Sequence, residues 1–129
     1  MQRFLGRYGE IAYTLLRVVA GLMFAVHGAQ KLFGFLGGRQ MPVGSLFWVG
    51  GVIELVGGLL IAIGLFTSWA AFLCSGTMAV AYFQFHYPRG FWPVVNEGQP
   101  AVLYCFIWLY MSARGAGPWS LDAMLRKSG

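Results

Sequence analysis

The stretch GLMFAVHGAQKLFG, residues 21–34, opens as a helix suited to hydrocarbon and then, with no break in the segment, carries His27, Gln30 and Lys31. If it belongs to a membrane helix, those three side chains need a reason to be there. Composition decides the environment first. Of 129 residues, 58% are hydrophobic and 10% charged, where an ordinary soluble domain has about 45–50% apolar and about 25% charged residues. A soluble chain of this size lacks the interior to hide so much apolar surface. The 19 glycines and five tryptophans suit membrane helices and their interfaces. Lipid is the expected solvent.

Outward from 21–34 the chain holds four long apolar stretches, which predict helices at about 11–35, 46–66, 69–87 and 99–114. A spanning helix needs about 20 residues, with a range of about 17–25, so the fourth is short. The connectors GGRQMPVG (37–44), FTSW (66–69) and PRGFWPVVNEGQP (88–100) are compact, and no linker, low-complexity run or internal repeat divides the chain. The expected fold is all-α, a left-handed transmembrane four-helix bundle in a single domain, 1–129. FWP (91–93) is too apolar for a free loop and is expected at the outer interface or folded over the bundle mouth.

With four spans both termini share a side. That side carries Arg3, Arg7, Arg114, Arg126 and Lys127, against Lys31, Arg39 and Arg89 opposite. Lys and Arg in short loops favour the cytoplasm, so both termini are expected there. Arg3 and Arg7 before an apolar run also look like the start of a signal peptide, but the run is long and lacks a clean small-residue cleavage pair; it reads as a retained first span. The net charge of +5 then serves orientation and lipid headgroups, and without a basic stripe nucleic acid is not expected as a partner. Arg17 is expected to snorkel to the cytoplasmic headgroups.

The remaining polar residues gather by depth. His27 and Lys31 lie toward the outer end of the first helix, Glu54 about two turns into the second, His86 at the end of the third, and Glu97 before the fourth. Antiparallel neighbours bring these ends together. Gly50, Glu54, Gly57, Ile61 and Gly64 repeat at helical spacing, so Glu54 shares a stripe with glycines that admit a close neighbour and points into the bundle. Ser75, Ala79, Tyr82 and His86 make a similar stripe, and Glu97, Ala101, Tyr104 and Trp108 would align if the fourth helix began early. A carboxylate in hydrocarbon costs about 2.5–3.5 kcal/mol on insertion scales, which demands a partner or a task. Lys31 or His27 is the expected partner of Glu54; such a pair can carry chemistry or simply fix helix register.

Other chemistry is poorly supplied. Cys74 and Cys105 fall on different helices with no Cys-x-x-Cys, so packing is their expected role. His27 and His86 come without a haem-attachment motif or a zinc-like cluster, so neither haem nor metal is expected. No strand precedes a glycine-rich phosphate loop.

GLMFAVHGAQKLFG (21–34), ELVGGLLIAIGLFT (54–67), MAVAYFQFHYPRGFWPVVN (78–96), AVLYCFIWLY (101–110) and GAGPWSLD (115–122) together resemble the DoxX family of small four-helix membrane proteins, over nearly the whole chain. The resemblance implies a protein of a prokaryotic cytoplasmic (inner) membrane. It also implies association with membrane redox complexes, since relatives include a subunit of an archaeal thiosulfate:quinone oxidoreductase. It maps family positions onto His27, Gln30, Lys31, Glu54, His86 and Pro88. Many relatives read Asn-Gly-Gly-Glu before the fourth helix, where this chain has NEGQ (96–99): Gln99 replaces the acid, and Glu97 lies two residues earlier.

Two classes of function follow. In the first, the chain is a quinone-linked oxidoreductase subunit. Glu54, His27 and His86 handle protons, while Gln30, Lys31, Tyr82, Tyr104 and Glu97 bind the quinone headgroup, with Phe24 and Phe83 as further walls. Its partners are then membrane lipid and other membrane or redox subunits, or further copies of itself. In the second, it is an accessory or scaffolding subunit without chemistry. A proton or small-solute conduit is a third reading.

Overall fold

The computed structural model describes residues 4–128, and among these every regular element is a helix. Arg3, used above for orientation, lies outside them, as do the remaining domain limits 1–2 and 129. In chain order the helices are α1 (Gly9–Phe33), α2 (Leu46–Ile63), α3 (Thr67–Ala81), α4 (Pro93–Asn96), α5 (Gln99–Arg114) and α6 (Leu121–Ser128). A π-helical turn, Tyr82–His86, continues α3.

Local chemistry sets the boundaries. α1 stops at Gly34 (φ 68°) and α2 at Gly64 (φ 75°); both glycines take the left-handed conformation that closes a helix, short of where the apolar runs end. Ser45 caps α2 by accepting the Trp48 amide hydrogen at 3.2 Å. α3 begins earlier than its apolar stretch because Asp122, far along the chain, accepts the amide hydrogens of Phe66 and Thr67 at 2.8 and 3.0 Å. α5 begins at Gln99, behind a left-handed Glu97 (φ 62°). Glu97 is therefore off the helix and outside the expected stripe with Tyr104.

Glycine and alanine let α1 and α2 meet backbone to backbone. A Cβ placed on Gly21 would strike Gly58 and Ala62, and one on Gly28 would strike Gly51 and Leu55, a sequence order that makes the pair antiparallel. α2 meets α3 where Gly57 faces the Cys74 sulfur. α3 and α5 are joined by the Ser75 hydroxyl donating to the Cys105 carbonyl at 2.7 Å. α5 closes on α1 through Phe24, whose ring centroid lies 5.0 Å from that of Tyr104 and 5.3 Å from that of Trp108. These four helices enclose one core, in which Phe24, Ile61, Cys74, Trp108 and Met111 are fully buried.

Two expectations need correction. On α2, Glu54, Gly57 and Ile61 are buried as expected, but a Cβ on Gly50 meets nothing and Gly64 is the helix cap. The close approach to α1 falls to Gly51 and Gly58, on the adjacent face. Arg17 does not snorkel: it is 2% exposed. Its guanidinium donates to the carbonyls of Ala116 at 2.5 Å, Trp119 at 3.0 Å and Ala62 at 3.5 Å. The chain after α5 folds back under the bundle and offers the first two of these carbonyls, and the end of α2 offers the third, so a charge that could have reached headgroups is held inside. α6, too short for an apolar span, was not expected.

The outward faces are apolar. Leu15, Leu22, Val56, Phe72, Leu103 and Phe106 are all exposed. Among the described residues two helical stretches, Gly6–Phe33 and Leu46–Ile63, are by length and composition long and apolar enough to cross a membrane.

Candidate functional site

The glycine contact between α1 and α2 builds the site. Because Gly28 and Gly51 bring the backbones together, Lys31 is held over the turn of α2 that carries Glu54. Lys31 Nζ lies 2.8 Å from Glu54 Oε1 and 2.7 Å from Oε2. Glu54 is buried at 3%, whereas the Lys31 side chain keeps 30% of its surface. The expected pairing is present, and Lys31 rather than His27 makes it.

Beside the pair is a cavity of about 170 Å³ lined by His27, Lys31, Glu54, His86 and Tyr104, with Phe24, Met78, Ala81, Pro100 and Ala101 as apolar wall. Four elements supply it: α1, α2, the α3 end and α5. Its volume is that of about five or six waters in the liquid. His27 sits exposed at its edge with the ring edge-on to Tyr104, centroids 6.3 Å apart. Neither the His27 ring nor the Tyr104 hydroxyl has a hydrogen-bond partner among the described residues.

His86 is placed by the π-helical turn, a local widening that often marks functional positions. Its ring stacks over Tyr82, centroids 6.2 Å apart. Nδ1 lies 3.1 Å from the Asn96 carbonyl oxygen and 3.2 Å from the Arg89 guanidinium. When protonated, Nδ1 donates to the carbonyl; when bare, it accepts from Arg89. Both tautomers are served without moving the ring.

The other expected residues lie elsewhere. Gln30 turns to the loop after α1, its amide 3.4 Å from the Leu36 carbonyl and its side chain against Gly38. Glu97 is exposed, 4.0 Å from Arg89. Tyr82 is buried just outside the cavity, where its hydroxyl donates to the Phe91 carbonyl and accepts from Asn96 at 3.2 Å. Phe83 faces outward.

Asn96 was missed. It is 1% exposed, and its side chain also donates to the Gly90 carbonyl at 2.7 Å and accepts the Gly98 amide hydrogen at 2.8 Å. It ties the loop that holds His86 to the start of α5. An Asn in an apparent turn is the only sequence signal, and that signal is common. Around it Phe91 and Trp92 are exposed and apolar.

Helices that bury glycine against glycine, present apolar side chains outward and hold a buried carboxylate on a lysine define a small helical membrane protein. The chain belongs to the DoxX family, whose profile matches residues 12–87. A Haemophilus influenzae protein described as uncharacterized is 40% identical over 125 residues, 92% of this chain and 93% of that one. A Bacillus subtilis (strain 168) protein bearing the name "Putative oxidoreductase CatD" is 41% identical over 64 residues, 45% of this chain and 47% of that one. No solved structure gives a significant match.

Proposed function

We propose that this DoxX-family protein is the quinone-binding membrane subunit of an oxidoreductase, a four-helix bundle crossing a prokaryotic cytoplasmic membrane with both termini inside. The observation that carries the reading is the cavity lined by a buried carboxylate, two imidazoles and a phenol together with apolar side chains. The apolar outer faces of α3 and α5 support membrane crossing by helices shorter than the other two. The oxidoreductase name of the Bacillus subtilis relative points the same way.

The fit rests on the donors left over. Among the described residues the His27 ring and the Tyr104 hydroxyl have unused hydrogen-bonding capacity, and both border a space flanked by Phe24 and Ala101. A quinone bound there accepts two electrons from a donor outside this chain and two protons, becoming a quinol. The His27 and Tyr104 N–H and O–H groups orient the carbonyl oxygens. The Lys31–Glu54 pair is neutral as it stands, and on giving a proton to the ring it carries one negative charge until a proton is taken up again. His86 exchanges protons with the loop side, because either tautomer keeps a partner. Glu54→Gln membranes should lose electron transfer to quinone, and protein purified without added lipid should retain quinone. Absence of retained quinone together with unchanged transfer would reject the proposal.

One observation favours the accessory-subunit reading: Lys31 and Glu54 bond to each other through both carboxylate oxygens, as a register-fixing pair would. On that reading Glu54→Gln weakens assembly of a host complex and leaves its quinone chemistry intact.

A further inference from the structure

The cavity beside Glu54 is not closed. A groove of about 860 Å³ runs between α2 and α3, and Lys31, Glu54, Met78, Ala81 and His86 border both spaces. Its α3 wall extends from His86 to Trp69, about 25 Å at 1.5 Å per residue, and its α2 wall from Leu46 to Glu54. That is most of the roughly 30 Å hydrocarbon thickness of a bilayer. Its floor is set by missing side chains: Gly50 on α2 and Gly76 on α3 line it, and a Cβ on either would meet nothing within 4 Å. Phe72, Leu73 and Val80 on its rim are exposed, so it opens on the outer surface of the helices. At its outer end the rings of Phe47 and Phe85 stack across from α2 to α3, centroids 4.4 Å apart.

We infer that this groove takes the isoprenoid tail of the quinone whose ring occupies the cavity, and that the ligand enters sideways from the bilayer between α2 and α3. The inference rests on the quinone reading above. The charges at the head end select the class of ligand. Lys31, the cation that lines the cavity, already lies on both oxygens of Glu54, so an anionic phospholipid headgroup there would lie beside a buried carboxylate, whereas an uncharged ring meets the unused donors of His27 and Tyr104. A small neutral head in the cavity, joined to one long apolar chain in a groove spanning most of the hydrocarbon, is the form of a prenylated quinone.

The test compares octaprenyl ubiquinone with the same ring bearing a single prenyl unit, titrated into the purified full-length protein. Gly76→Leu and Gly50→Leu fill the groove from opposite helices at positions with free space. Each should weaken octaprenyl binding by about tenfold or more and leave the single-prenyl compound unchanged, while Glu54→Gln weakens both. If the glycine variants bind both compounds as wild type does and Glu54→Gln still loses both, the tail lies elsewhere and the headgroup site stands. If neither compound binds wild type, the quinone reading falls and takes this inference with it. Phospholipid retained by wild type and released by both glycine variants would assign the groove to bilayer lipid and overturn the inference. A measurement independent of any variant is photolabelling of wild type with a quinone carrying a diazirine at its tail end. Labels should fall on 69–77 of α3; labels confined to α1 or α5 would overturn the assignment.

Discussion

Lys31 reaches across from α1 to place its ammonium 2.8 and 2.7 Å from the two oxygens of the buried Glu54 carboxylate on α2. Removing one partner of a fully buried pair costs about 3–5 kcal/mol. Lys31 keeps 30% of its side-chain surface, so part of that loss is relieved when the freed ammonium turns outward. Glu54→Gln should therefore destabilise the detergent-solubilised protein by about 2 kcal/mol, read as a fall in Tm. Adding Lys31→Met should recover part of the loss. Strictly additive losses would show that the two residues do not interact energetically.

The glycines of α2 should separate by face, although the sequence presents them as equivalents. Gly28→Ala on α1 and Gly58→Ala on α2 each drive a methyl group into the facing backbone and should cost about 1–3 kcal/mol. Gly50→Ala meets open space and should be neutral, or stabilising by up to about 1 kcal/mol through helix propensity. Thermal denaturation of the three variants side by side checks the ordering.

The contrast shows what the sequence can encode legibly. Periodicity located the four long helices and brought Lys31, Glu54 and His86 to one end, because apolar runs and antiparallel order are properties of segments. It could not tell Gly50 from Gly51, one position and about 100° apart on a helix, when either could face a neighbour. Arg17, Asn96 and Asp122 were illegible for a different reason. Each is satisfied by backbone groups of loops or helix ends, distant in sequence for Arg17 and Asp122 and only a few residues away for Asn96, and backbone groups leave no residue-type signature. Gln30 was drawn elsewhere because it sits where α1 ends, beside the chain reversal at Gly34 and Gly38.

Asp122 gives a pH signature. Burial raises its pKa, but the amide hydrogens of Thr67 and Phe66 and the nearby Arg126 outweigh that, so the folded carboxyl sits below its ordinary value of 3.8. A depressed carboxyl contributes stability that is complete above the unfolded pKa and is lost as pH falls through the folded one. Wild type should thus lose the cap on α3 only below about pH 4. Asp122→Ala should lack it at every pH, with a cost near neutrality of about 1 kcal/mol. Stability measured for both proteins from neutral pH into acid should converge at the acid end; a constant gap would show that the carboxylate charge is not what caps α3.

Arg17 supplies the last prediction, because its partners fix which property of the side chain matters. The guanidinium is buried and reaches three backbone carbonyls through two nitrogens, Nη1 bonding Ala116 and Nη2 bonding Trp119 and Ala62, and no carboxylate forms an ion pair with it among the described residues. A planar fork can serve several acceptors at once, whereas a lysine ammonium is a compact charge on a flexible stem. If the fork is what holds the returning chain, Arg17→Lys should be nearly as harmful as Arg17→Met, each costing about 2 kcal/mol as charged hydrogen bonds are lost from buried carbonyls. The damage should spread along a set path. Releasing the segment before α6 also withdraws Asp122 from the start of α3, so hydrogen exchange should rise at 66–70 as well as at 115–124, and stay unchanged around Glu54. Wild-type protection in Arg17→Lys would mean that positive charge alone holds the chain, and that the geometry of the guanidinium adds nothing.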